Sequence, residues 1–324
     1  GYVGKPAEAG TDVFAVDTGN GSSVGPAFDA NFAVDMLIKR AYASQSDFGI
    51  HARLAGPKDL RTNTNDLEGN DASGAAFDYM AGASKSQSTS IWGVMWKRHK
   101  GFDVVTYTGN GTAGHTIPHS LSQVPGMMWV KRRDSSKNWA VYHKGLNGGT
   151  NPEQYSLILN NTGSTDDETN LWNDTAPTTT HFTVGLGSSE PGDRVNADTG
   201  TYIAMLFAEV DGISKVGSFT GVASNANLTI NLGFVPRLFI HKRVDSGCGN
   251  ESHWYIWDSL RGMAASGTEK PFWLDSNAAE GNAYDYVATV NSGGTKGITL
   301  TGGVTAEFLG NDPSNHKYIY YAHA

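Results

Sequence analysis

One phrase occurs three times along the chain, and it limits the fold more than any other feature. Val124–Tyr142 reads VPGMMWVKRRDSSKNWAVY, and Val235–Trp257 reads VPRLFIHKRVDSGCGNESHWYIW. Both pass from proline into an apolar run, then Lys-Arg, a polar loop and a tryptophan with apolar alternation. Proline precedes lysine by six residues in each, Pro125 to Lys131 and Pro236 to Lys242. A weaker copy, VDMLIKRAYASQSDFGI (Val34–Ile50), keeps the apolar run and Lys39-Arg40, lacks the proline and has Phe48 in place of tryptophan. Self-similarity of this kind marks a repeated structural unit.

The flanks repeat as well. FDVVTYTGNGTAGHTI (from Phe102) and KVGSFTGVASNANLTI (from Lys215) both read as strand, Thr-Gly turn, strand, an expected hairpin. Downstream, YSLILNN (Tyr155–Asn161) matches PFWLDSN (Pro271–Asn277), and HFTVGLG (His181–Gly187) matches GITLTGG (Gly297–Gly303) and FDYMAGA (Phe77–Ala83). Aromatic strands close the units: SIWGVMW (Ser90–Trp96), TYIAMLFA (Thr201–Ala208) and KYIYYAHA (Lys317–Ala324). The expected fold class is all-β: three tandem antiparallel β-sandwich (or partly closed barrel) modules of one repeated type. Their expected bounds are 1–100 (diverged), 101–212 and 213–324. Composition agrees, with 40 Gly among 324 residues, only 17% charged residues, and turn formers about every 8–12 positions.

Large residues stand on both parities of the apolar runs, Met127 and Trp129 against Met128 and Val130, Leu238 and Ile240 against Phe239 and His241. A strand with one wet face alternates, so both faces are expected to be covered, one by the unit's own core and one by a neighbouring unit or chain. The Lys-Arg pairs at the ends of the runs are expected to lay their stems over the core's edge and put their heads in water. Their presence in all three copies points to architecture, since a special site would more naturally occur in one copy.

A net charge of -8 argues against nucleic-acid binding through a basic surface. The single Cys248 excludes an internal disulfide. No apolar run reaches the length of a spanning helix. The chain opens on Gly1, which reads as a processed chain or a piece of a longer polypeptide.

The second and third units resemble the β-rich modules repeated in virion appendage proteins of tailed bacteriophages, tail-fibre-like proteins above all. The resemblance lies in FDVVTYTGNG (Phe102–Gly111), VPGMMWVKRR (Val124–Arg133), WYIWDSLRG (Trp254–Gly262), LDSNAAEG (Leu274–Gly281) and YIAMLFA (Tyr202–Ala208). It covers the chain from Phe102 onward, and Gly1 to Lys100 only in outline. It implies a structural virion protein on the particle surface, with copies of itself (a trimer) and other virion proteins as partners and no catalytic residues. The doubly apolar strands also call for self-assembly.

Asp258, Ser259, Arg261 and Gly262 suit a structural corner: the carboxylate accepts from turn N–H groups, the arginine pairs with Asp258, Asp275 or Glu280, and the glycine permits positive φ. His115 and His119 stand four apart, but Pro118 and the β pattern argue against a zinc-binding helix. Asp166, Asp167 and Glu168 read as a solvated loop rather than a calcium site. No nucleophile elbow or phosphate loop is present. No metal, cofactor or membrane insertion is expected. Six Asn-x-Ser/Thr sequons begin at Asn20, Asn110, Asn160, Asn173, Asn227 and Asn250, and carry meaning only in a eukaryotic secretory setting.

The aromatics offer a competing class, a carbohydrate-binding module, with Trp172 and Trp254 as candidate glycan contacts against the alternative that they fill cores. A polysaccharide-degrading enzyme is a third class. The expected display loops are Ser44–Asp47, Asp134–Asn138, Asn147–Gln154, Thr162–Asn170 and Asp245–His253.

Overall fold

The computed structural model describes residues 9–71, 75–222, 226–245, 252–264, 269–281, 287–301 and 315–324. Cys248 and most of the 245–253 loop lie outside them. The protein is nearly all β, and every strand pair is antiparallel.

Three main sheets share one strand order. The first runs β1 (Phe14–Thr18), β8 (Ile91–Trp96), β3 (Met36–Ala41), β4 (Gly49–Ala52), β5 (Lys58–Arg61), β6 (Gly69–Asn70). The second runs β9 (Phe102–Thr108), β16 (Thr201–Ala208), β11 (Pro125–Arg132), β12 (Ala140–His143), β13 (Tyr155–Ile158), β14 (Asp166–Asp167). The third runs β17 (Ser214–Thr220), β24 (Lys317–His323), β19 (Leu238–Arg243), β20 (Tyr255–Asp258), β21 (Phe272–Trp273). A small sheet accompanies each: β2 (Phe28–Asp29) with β7 (Gly82–Ala83), β10 (His115–Pro118) with β15 (His181–Val184), and β18 (Leu228–Asn231) with β23 (Thr295–Leu300) and β22 (Val287–Ser292). The matched sequence segments thus fall on corresponding strands, except that Phe77–Ala83 is strand only at Gly82–Ala83.

The two parities of each central strand face different cores. Met36 and Ile38 of β3, Met127 and Trp129 of β11, and Leu238 and Ile240 of β19 all enter one cluster shared by the three main sheets. The opposite parity enters three separate clusters: Leu37 in the first, Met128 and Val130 in the second, Phe239 in the third. Both faces are therefore covered, as the sequence predicts, one by the unit's own cluster and the other by the neighbouring units. The inward faces meet one another inside a single chain, so the doubly apolar strands are satisfied without a second copy.

Aromatic rings fill the shared core. Phe207 lies 4.9 Å from both Trp129 and Tyr321 and 6.3 Å from Trp96, whose indole Nε1 donates to the Tyr321 hydroxyl at 3.3 Å. Each buried ring of this size removes about 150–250 Å² from water, worth at most about 4–6 kcal/mol of transfer free energy.

The seams between main sheets follow one rule. Trp139 of the second unit donates its indole N–H to the carbonyl of Arg61 in the first, at 2.8 Å. Trp254 of the third donates to the carbonyl of Ile158 in the second, at 3.0 Å. Arg61 and Ile158 hold the same position, beside the core residues Leu60 and Leu157 that pair with Ile50 and Val141. Phe48 stands at the third seam and has no N–H to give. There its ring meets Phe272 edge-on at 5.4 Å, the Arg40 guanidinium lies 4.4 Å from the Phe272 centroid, and the Thr62 hydroxyl donates to the carbonyl of Leu274 at 2.6 Å. The ring of three sheets is thereby closed.

Candidate functional site

The Asp258 corner has well-defined geometry. Asp258 Oδ1 accepts from the backbone N–H groups of Leu260 and Arg261, each at 3.0 Å. Its Oδ2 takes the Arg261 guanidinium through Nε at 2.7 Å and a terminal nitrogen at 2.6 Å. Gly262 follows with φ 108°, a conformation costly for any side chain. Arg261 is buried against Phe272, 3.6 Å from the ring centroid, and donates to the carbonyl of Lys270 at 2.8 Å. Of the carboxylates weighed from sequence, Asp258 is the direct partner and Glu280 lies 3.9 Å away. Every polar contact is internal, and the corner braces the seam between third and first sheets.

Trp172 and Trp254 do not present rings to solvent. Each is 1% exposed. Trp172 packs in the second sheet's outer cluster and donates to the carbonyl of Tyr155, while Trp254 belongs to the shared core. The glycan-contact expectation for both is corrected: a ring enclosed on both faces has no surface on which a sugar can stack.

The cation pairs need two corrections. First, their heads are largely out of water. Lys131 and Lys242 are 0% exposed and Arg40 is 2% exposed. Lys131 Nζ donates to the carbonyls of Arg132 at 2.8 Å and Asn65 at 3.4 Å; Lys242 Nζ donates to the carbonyl of Ser252 at 2.5 Å. Arg40 donates to the carbonyl of Ala278 at 2.6 Å. Arg132 and Arg243 pair with Asp134 and Asp245 two residues on. Lys131, Lys242 and Arg40 thus donate to main-chain carbonyls, of Arg132 at the end of β11 and of Asn65, Ser252 and Ala278 in loops, while Arg132 and Arg243 donate to carboxylates.

Burial pushes Lys131 down to about 8 from the usual 10.5. The unfolded chain then holds the proton more tightly than the folded one. The penalty on folding is full below about pH 8 and fades as pH rises to 10.5. The stability of the wild type minus that of Lys131→Met is expected to rise by about 1–3 kcal/mol between neutral pH and pH 10.5, read from urea denaturation at both.

Second, the first copy is out of step by one residue. Ile38, Trp129 and Ile240 pair with Val94, Met205 and Tyr321, and the next inward residues are Arg40, Lys131 and Lys242. Arg40, not Lys39, is the counterpart of the two buried lysines. Lys39 stands where Val130 and His241 stand, on the opposite face, because a one-residue shift exchanges the faces of a strand.

That shift helps to form a polar cleft on the outer face of the first sheet. It has a volume of about 330 Å³, and Lys39, His51, Asp59, Arg61, Asn70 and Asp71 line it. The outer apolar cluster includes Leu37 but none of these six. The counterparts of His51 are Tyr142 and Trp257, each paired with the residue that corresponds to Leu37. His51 is 2% exposed, and its Nδ1 lies 3.3 Å from the carbonyl of Lys58 and 3.7 Å from Asp71 Oδ2. Burial, helped by Lys39, brings the imidazole down to about 4, so it is neutral at neutral pH. A carbonyl only accepts, so Nδ1 carries the proton, and Nε2 is left as an acceptor with no partner. Burial also raises Asp59, with Asp71 adding to the effect, and lowers Lys39. Perturbed groups gathered in a concave site mark a functional candidate.

His115 and His119 sit at opposite ends of the β10 segment, His115 against Asn196 and His119 against the carbonyl of Thr178. No group of three potential metal ligands occurs among the described residues. Asp166 and Asp167 form the exposed edge strand β14 rather than a loop, and Glu168 accepts from Ser156.

A family model described as a domain of unknown function, DUF7483, matches residues 61–324, and the chain belongs to that family. Lys39, His51 and Asp59 precede the matched segment. No curated protein and no solved structure matches the chain.

Proposed function

We propose that this DUF7483 protein is a non-enzymatic structural protein of a tailed-bacteriophage virion, a tail-fibre-like or other appendage or decoration component at the particle surface. The observation that carries the reading is the closed ring of three like-ordered sheets around one aromatic core. Its recurrent residues go into bracing: indole-to-carbonyl bonds at two seams, stacked guanidinium groups at the third, and buried lysines that donate to main-chain carbonyls. The motif resemblance supplies the virion setting. Partners in this reading are other virion proteins and copies of the chain. A trimer follows from the resemblance, whereas the apolar strands, covered within one chain, no longer call for it.

Antibody-labelled electron microscopy of purified particles tests the location, and light scattering of the purified protein tests its oligomeric state. Label on an appendage or on the capsid exterior is expected. Absence of the protein from purified particles would remove the reading. A second reading, a carbohydrate-binding module, is favoured by the polar cleft of the first sheet.

A further inference from the structure

We infer that the cleft on the outer face of the first sheet binds a neutral, polyhydroxylated ligand, a saccharide unit, through polar side chains rather than an aromatic platform. This deepens the carbohydrate-binding reading and does not depend on where the protein resides.

The fold does not demand these residues. In the second sheet the positions of Lys39, His51 and Asp59 hold Val130, Tyr142 and Ser156. Val130 and Tyr142 there belong to a continuous apolar cluster. The third sheet has Trp257 in the place of His51, inside another apolar cluster. Only the first sheet places a lysine, an imidazole and a carboxylate on this stretch of outer face.

His51 points to a missing partner. Its Nε2 is buried and accepts from nothing in the protein, and leaving such an atom unpaired is costly. Gly49 keeps the space beside it clear, since a Cβ there would come within 2.9 Å of Nε2. Both residues line the cleft.

The charges select the ligand. Arg61 lies 3.2 Å from Asp47 and 3.8 Å from Asp59, and Asp71 faces His51. Lys39 feels both Asp59 and Asp71. An anion would meet three carboxylates, and a cation would meet Lys39 and Arg61. A hydroxyl disturbs neither sign: it donates to a carboxylate or to His51 Nε2 and accepts from an ammonium, guanidinium or amide group. Several such hydroxyls on one small ring match the mixed lining, which includes the amides of Asn70 and Gln87. The volume of about 330 Å³ falls at the small end of small-molecule sites.

Saturation-transfer NMR on the full chain tests this with glucose, galactose and mannose as neutral probes, and with glucuronic acid and glucosamine as charged rings of the same size. At least one neutral sugar is expected to bind in the millimolar range and more tightly than either charged one. Asp59→Asn, which keeps the side chain's shape, should weaken binding about tenfold or more. Lys39→Val and Asp59→Ser, which install the second sheet's residues, should do the same. Thermal melts of each variant establish that it is folded. The inference is overturned if no neutral sugar binds at about 50 mM, if a charged sugar binds best, or if binding survives unchanged in folded Asp59→Asn and Lys39→Val proteins.

Discussion

Replacing Trp254 by alanine is expected to cost about 3–5 kcal/mol of stability, among the largest effects of any single change in this chain. The ring is 1% exposed in the shared core, and its N–H satisfies a carbonyl of the neighbouring sheet. Alanine would leave a cavity and an unpaired carbonyl at once. Phenylalanine is expected to cost only about 1–2 kcal/mol, because it keeps most of the ring and gives up one hydrogen bond. The first sheet already tolerates that arrangement, with Phe48 in the corresponding place. Urea denaturation of the two variants checks both values. An alanine variant as stable as the wild type would show that the three sheets do not share a core.

The second large effect is expected at Asp258. Alanine there removes the acceptor for two backbone N–H groups and leaves the Arg261 guanidinium buried without its carboxylate. A loss of about 3–5 kcal/mol is expected, since breaking one side of a buried pair strands the other charge. Arg261→Ala should cost less, about 2–3 kcal/mol, because Asp258 keeps its two backbone donors. The double variant should fall short of the sum by about 1–3 kcal/mol, the coupling of residues in direct contact. Strict additivity in the double-mutant cycle would mean that the pair is not formed in solution.

Much of the fold was legible in the sequence because strand periodicity and turn chemistry are local. The apolar runs and the closing aromatic strands fall on β11 and β19 and on β8, β16 and β24. The strand-turn-strand segments after Phe102 and Lys215 fall on β9 and β10 and on β17 and β18, but they are not hairpins: β9 and β17 pair within the main sheets, β10 and β18 within the small ones. The Asp258 corner was legible too, since its partners lie within four residues. What one face of a strand meets is decided by distant chain, and the parity of Met127 or Leu238 carries no mark of it. Hence the sequence left open whether a neighbouring unit or another chain covers the second face, and rings that fill the shared core read equally well as sugar platforms. The one-residue shift of the first copy did leave a trace. Arg40 precedes Phe48 by eight residues, just as Lys131 precedes Trp139 by eight. Alignment on the aromatic rather than on Lys-Arg would have placed Lys39 on the outer face and drawn notice to His51 and Asp59.

The covalent ordering of the three sheets sets the valency of the molecule. In a ring of identical subunits every change is made three times, so any pocket comes in triplicate. Here the lysine, imidazole and carboxylate of the cleft stand on the first sheet and not at the matching positions of the second, so that cleft is not repeated around the ring. Gripping a decorated surface firmly would then depend on avidity, on how many chains an array holds and how they are spaced, rather than on threefold contact by one of them.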